Sequence, residues 1–468
     1  MSALSIQALL GFVLFDLIVI LILARSVGTL FTQFGQPRVV GEIISGVLLG
    51  PTLLGPAVWP QFAAPEFLHC IIQPGMPQSP SSCLFPVAAR TVIGQLGQLG
   101  LLLFSFLTAV ELDRALLRNQ IGRIALVGAG SVLLPIVVVI PLKPILATPV
   151  FKPAPVSTSG FTLFVGVMLA ATALPVMARI LQDLGLSQSP LGCTGIAASA
   201  VATVGLFVVA SIALSISGIA GASGMSGGAG VAAGGAAVVV RALGLAVGYL
   251  GLMLFMVRPL LTRMAHRPTR PGHDAGGGSQ FVAVLVLLLT SGLAAHLAGL
   301  TVIVGGFLAG LILPSQTAVH CALEQRLGEL TRSVLLPIFL AFSGLQTDLT
   351  AVPLAAYGAV LLLLAGAMAS KWGGGAVLAR VSGLPWPESN VLGILMNCPG
   401  MIVLVIALVG VQNGVITPAM QAGVVLIALI TTAMAGPLLT IFLTRTAYPF
   451  PGSHLGEPRK RRNRSAVM

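Results

Sequence analysis

Along this chain, apolar residues run for about 20 positions at a time with little alternation, and polar residues collect between the runs. Such runs predict about thirteen bilayer-spanning helices. They lie near 6–25, 39–57, 91–110, 121–141, 159–181, 191–217, 235–257, 279–298, 300–314, 331–346, 353–381, 388–411 and 416–444. Two runs are interrupted in mid-span by proline beside small polar residues. The first reads Ala171-Thr172-Ala173-Leu174-Pro175, the second Met396-Asn397-Cys398-Pro399-Gly400-Met401. Proline inside a helix removes a backbone hydrogen bond and crowds the preceding turn. In hydrocarbon the freed backbone groups find no water, so such breaks are tolerated where they line a protein cavity. Paired breaks in matching places of two halves point to a transporter's binding site.

Composition fixes the class. Of 468 residues, 56% are hydrophobic and 8% charged, which excludes a soluble domain of this length and predicts an all-α polytopic membrane protein. Met1 to Gln7 carries no Lys or Arg, so the run Ala8 to Ala24 is expected to be a retained helix, not a cleaved signal. Arginines gather after the odd-numbered spans, among them Arg25, Arg38, Arg114, Arg118, Arg123, Arg179, Arg258 and Arg263, and again in the tail at Arg459–Arg464. The other side holds little beyond Arg90, Lys143 and Lys152. Basic residues concentrate on the cytoplasmic side, so the N-terminus is expected outside and the C-terminus in the cytoplasm. The basic tail fits anionic lipid better than nucleic acid. Cys70 and Cys83 share the external loop 58–90, where a disulfide is open to them. The remaining cysteines and the scattered histidines lack metal-ligand spacing, and the glycine runs follow no strand. No metal, cofactor or nucleotide site is expected.

The halves repeat. Phe104 and Asp113 in the third span match Phe339 and Asp348 in the tenth, and the second span, Val40 to Pro51, resembles the ninth, Val302 to Pro314. An inverted repeat follows: a transmembrane domain 1–444, with a first repeat 1–217, a linker helix 235–257, a second repeat 279–444, and a basic tail 445–468.

The stretches Gly35 to Glu42, Glu111-Leu112-Asp113, Ala178-Arg179-Ile180-Leu181, Gly306 to Gly310 and Phe342 to Leu345 resemble monovalent cation:proton antiporters of the second branch. This branch holds sodium or potassium/proton exchangers and plant cation/proton exchangers. The resemblance, from about Phe12 to Leu443, implies a homodimer. Each subunit would have a dimerisation panel and a moving core in which two broken helices cross. Many relatives append a nucleotide-sensing domain; the short tail predicts none here.

Where the family places an acidic pair deep in the sixth span, this chain has Ala202 and Thr203. Where relatives carry Arg and Glu around the second break, it has Pro399 and Val403. The candidate transport site is therefore Thr172, Pro175, Ala202, Thr203, Lys371, Asn397 and Pro399. In several relatives a lysine at the place of Lys371 pairs with the lost carboxylate. An ammonium inside a membrane has a partner, a job or a route to the headgroups. Asp16, in the middle of an apolar run, is expected to be a structural acid of the panel. Glu42, Glu111, Asp113, Asp183 and Asp348 are expected at solvated helix ends. Three readings remain: a cation:proton antiporter with a rebuilt site; a transporter of an organic or anionic solute on the same fold; and a membrane enzyme, such as an isoprenoid cyclase, using Asp16, Glu111 or Asp113 as acid. Fold analogy favours the first.

Overall fold

The computed structural model describes residues 6–34, 38–55, 58–59, 80–110, 119–217, 244–245, 247–265, 278–298, 300, 302–313, 323–400 and 402–445, and every element among them is helical. The principal helices are α1 (Ile6–Gln33), α2 (Arg38–Leu49), α3 (Val87–Val110), α4 (Ile121–Val139), α5 (Thr158–Ala170), α6 (Leu174–Asp183) and α7 (Pro190–Ile216). They continue as α8 (Arg258–Ala265), α9 (Gly278–Leu297), α10 (Val302–Ile312), α11 (Leu336–Leu345), α12 (Tyr357–Met368), α13 (Gly374–Val381), α14 (Trp386–Met396), α15 (Ile402–Gln412) and α16 (Pro418–Arg445). Among the described residues nine helices are long and apolar enough to cross a membrane, and Val302–Ile312 and Ile402–Val411 are shorter apolar helices. The difference from thirteen has local causes. The expected span 39–57 forms a helix only as far as Leu49, 388–411 is divided by its break, and most of the first half of 235–257 lies outside the described residues. Conversely, α1 runs past Arg25 to Gln33, because no proline or glycine pair stops it.

The helices sort into two groups. In one, α1, α2, α3, α9, α10 and α11 pack on each other; in the other, α4, α5, α7 and α12 to α16 enclose the largest apolar cluster, around Phe161, Phe164, Met168, Leu392 and Ile406. The first group, the panel, has two smaller clusters, one around Ile93, Ile338 and Ala341, the other around Leu103, Phe106 and Leu288.

Reciprocal contacts make the two-fold relation between the halves visible. A Cβ added to Gly46 of α2 would lie 1.8 Å from the Ala341 carbonyl oxygen of α11, and one added to Gly310 of α10 would lie 2.4 Å from the Phe106 carbonyl oxygen of α3. Those helices touch backbone to backbone, which only a missing side chain permits. In the core, Gly130 faces Leu378 while Gly374 faces Leu134. Each contact recurs with its partners exchanged, as a self-complementary interface requires.

Candidate functional site

Helix α5 starts at Ser157, whose side chain accepts a hydrogen bond from the Gly160 amide, and stops at Ala170. Ala171 leaves the helical region, Ala173 is extended, and Pro175 occupies the first turn of α6, where its missing N–H costs nothing. Helix α14 stops at Met396, Asn397 leaves the helical region, and Gly400 turns the chain with φ +49° before α15. The two breaks cross in contact. The Ala173 amide donates to the Cys398 carbonyl at 2.9 Å, and the Thr172 hydroxyl donates to the Met396 carbonyl at 3.2 Å. From α7 the Thr203 hydroxyl donates to the Ser199 carbonyl at 2.8 Å and reaches the Thr172 carbonyl at 3.5 Å.

Lys371 completes the crossing. It sits on a wide helical turn, Ala369–Gly373, between α12 and α13. Wide turns of this kind recur at functional sites. Its side chain is 1% exposed, so it does not snorkel to a headgroup. The ammonium donates to the Ala171 carbonyl and, at 3.4 Å, to that of Ala170. These carbonyls belong to the end of α5, where the helix leaves acceptors unpaired and its dipole is negative. The ammonium thus places a positive charge on the carbonyls of a helix C-terminus. Among the described residues no carboxylate pairs with it; the Cys398 thiol is near enough to interact.

The second half-helix end is different. Placing Leu134 against Leu378 and Gly130 against Gly374 makes Val127 the positional counterpart of Lys371, and Val127 is buried and apolar. Among the described residues no cationic side chain bonds the last carbonyls of α14. Asn397, 5% exposed, has its side-chain carbonyl oxygen Oδ1 there without a hydrogen-bond partner among the described residues. An amide oxygen in that state is a ready ligand for a hard monovalent cation. Thr172, Ala202, Thr203, Lys371 and Asn397 are all buried; the Thr172 hydroxyl bridges the two ends, and that of Thr203 ties the first break to α7. A cavity of about 1010 Å³ reaches this crossing at Leu174 and Thr203.

The other acids lie elsewhere. Asp16 is fully buried, both its oxygens lack a hydrogen bond among the described residues, and its helix packs on α2, α3 and α11, away from the crossing. Glu42 is a correction: expected at a solvated end, it is 3% exposed, because α2 meets α1 closely at Gly28 and Gly41. Asp183 pairs with Arg179 at 3.3 Å, and Asp348 accepts a hydrogen bond from the Thr350 amide at 3.0 Å. Glu111 and Asp113 lie outside the described residues, as does Cys70, while Cys83 is disulfide-bonded. No cluster of metal-ligating side chains occurs among the described residues.

Paired discontinuous helices in a two-fold-related bundle define a multi-pass membrane protein of the inverted-repeat transporter class. The chain belongs to the sodium/hydrogen exchanger family, whose transmembrane model matches residues 18–445. It is 32% identical to the Na(+)/H(+) antiporter NhaS4 of Synechocystis sp. over 94% of this chain and 98% of that protein. It is 30% identical to cation/H(+) antiporter 20 of Arabidopsis thaliana, covering 89% of this chain but 47% of that longer protein. The fold matches the structure of the sodium proton antiporter MjNhaP1 from Methanocaldococcus jannaschii at pH 8. The TM-score is 0.60 at 16% identity, over 96% of this chain and 100% of that one.

Proposed function

We propose that this protein exchanges protons for a monovalent cation across a membrane, with Lys371 carrying the proton. The observation that carries the reading is the Lys371 ammonium seated on the Ala170 and Ala171 carbonyls at the crossing, with no acid in α7. The family relationship and the antiporter relatives support it. A lysine inside a protein can release its proton, which an arginine does not. When Lys371 is protonated, its ammonium fills the negative end of α5. When it gives up the proton, those carbonyls, the Thr172 and Thr203 oxygens and Asn397 Oδ1 are left for a dehydrated cation. One positive charge occupies the crossing in either case, so one proton exchanges for one cation and net charge movement is zero. The selected ion is set by oxygens alone, which suits sodium or potassium. The same reading takes the N-terminus outside, the C-terminus in the cytoplasm, and two copies joined through the panel.

Purified protein in liposomes, with an imposed pH gradient and sodium or potassium, tests this. Thr172→Val and Asn397→Leu each remove one neutral oxygen, so cation-coupled proton flux is expected to fall at least tenfold with normal membrane levels. Wild-type flux in both would place the site elsewhere. Thr203→Asp, which returns a carboxylate next to the seat, is expected to raise coupled flux severalfold by giving the cation a charged ligand. A folded double variant, Ala202→Asp with Thr203→Asp, that shows no flux would count against the site.

A further inference from the structure

The cavity that reaches Thr203 has the wrong lining for a passage that attracts cations, which acidic walls would favour. Among its described lining residues no acid occurs, and only Thr203 and Arg258 carry polar side chains. The rest of the wall is apolar and includes Val201 and Val204 of α7 and Phe307 and Leu311 of α10. It extends from the crossing to the helix ends at Ile121 and Ile312. Leu250, Leu254 and Arg258 line it at intervals of four residues, so a single helical face carries the apolar floor out to a charged rim. Arg258 is exposed, and no hydrogen bond or ion pair of its guanidinium occurs among the described residues. A volume of about 1010 Å³ is at the upper end of small-molecule sites.

We infer that this cavity binds a long-chain fatty-acid carboxylate, its tail between α7 and α10 and its head on Arg258. The guanidinium fork matches a carboxylate in two parallel hydrogen bonds, and the walls offer the tail an apolar environment from rim to Thr203. A seated tail fills the approach to the crossing, so the ligand acts as a plug. Binding itself does not depend on what the crossing transports.

The test is photo-crosslinking of a diazirine-bearing hexadecanoate to the full-length protein in liposomes of zwitterionic lipid, with sites mapped by mass spectrometry. Crosslinks are expected on the segments around Leu254 and Phe307–Ile312. Arg258→Gln should lower them at least fivefold, and Leu311→Trp, which fills the cavity, should remove them. The matching uncharged hexadecanol probe should label the same segments at least fivefold less. Label spread over outward positions such as Leu14 and Ile18 of α1, unchanged by either substitution, would overturn the proposal. So would competition by phosphatidylglycerol with none by excess hexadecanoate, which would assign the site to a bilayer lipid.

Discussion

Lys371→Arg is expected to abolish proton-coupled cation flux while the protein still folds and inserts. Arginine offers the Ala170 and Ala171 carbonyls a cation, so the end of α5 stays capped, but it does not release its proton. The seat then never empties for the ion. Lys371→Met is expected to lose exchange as well, for the opposite reason: it leaves the carbonyls uncapped and provides no proton carrier. It should also lower thermal stability, because a buried carbonyl without a partner costs about 1–3 kcal/mol. The two variants together separate capping from titration. Loss of flux with retained unfolding temperature in Lys371→Arg, and loss of both in Lys371→Met, is the expected pattern. If Lys371 were a purely structural cap, Lys371→Arg would transport normally.

The second large effect is expected at Gly400. Its φ of +49° lies in the left-handed region, and a Cβ there would approach Ala173 Cβ to 2.5 Å and Val176 Cγ2 to 2.7 Å. Gly400→Ala therefore adds about 1–2 kcal/mol of backbone strain and pushes the second break off the first. Overpacking of this kind costs about 1–3 kcal/mol more. The Ala173 to Cys398 and Thr172 to Met396 hydrogen bonds are the ones that must lengthen. Flux is expected to drop more than tenfold, with a lower unfolding temperature. Gly383 is the control: its φ is +97°, but nothing stands within 4 Å of an added Cβ. Gly383→Ala should thus carry backbone strain alone and keep most of the flux. Equal losses in the two variants would remove the contact between the breaks from the account.

Much of this architecture was legible because hydrocarbon imposes simple rules. Pro175 and Pro399 stand out in apolar runs, and the structure sets both at helix interruptions that meet. The matched pairs Phe104 with Phe339 and Asp113 with Asp348 anticipated the relation that Gly46 and Gly310 display through their contacts. The seat of Lys371 was not legible. Its acceptors lie about 200 positions away in sequence and are backbone carbonyls, which no residue pattern encodes. The wide turn that aims the side chain leaves no signature in Ser370-Lys371-Trp372. Glu42 misled because its place near a helix start suggested water, whereas close packing of α1 on α2 covers it. The open end at Asn397 became meaningful only when the fold paired Lys371 with Val127. Arg258 read as one of many cytoplasmic arginines until the cavity placed it on a rim.

The central claim is that one seat at the crossing alternates between the protonated Lys371 and a monovalent cation. It is tested most directly by cation-driven proton movement in liposomes under a clamped membrane potential. Wild-type protein should exchange one proton per cation, with a zero-flux point set by the proton and cation gradients and unmoved by an imposed potential, and Lys371→Arg should show no exchange. A zero-flux point that moves with the potential, or wild-type exchange in Lys371→Arg, would contradict it.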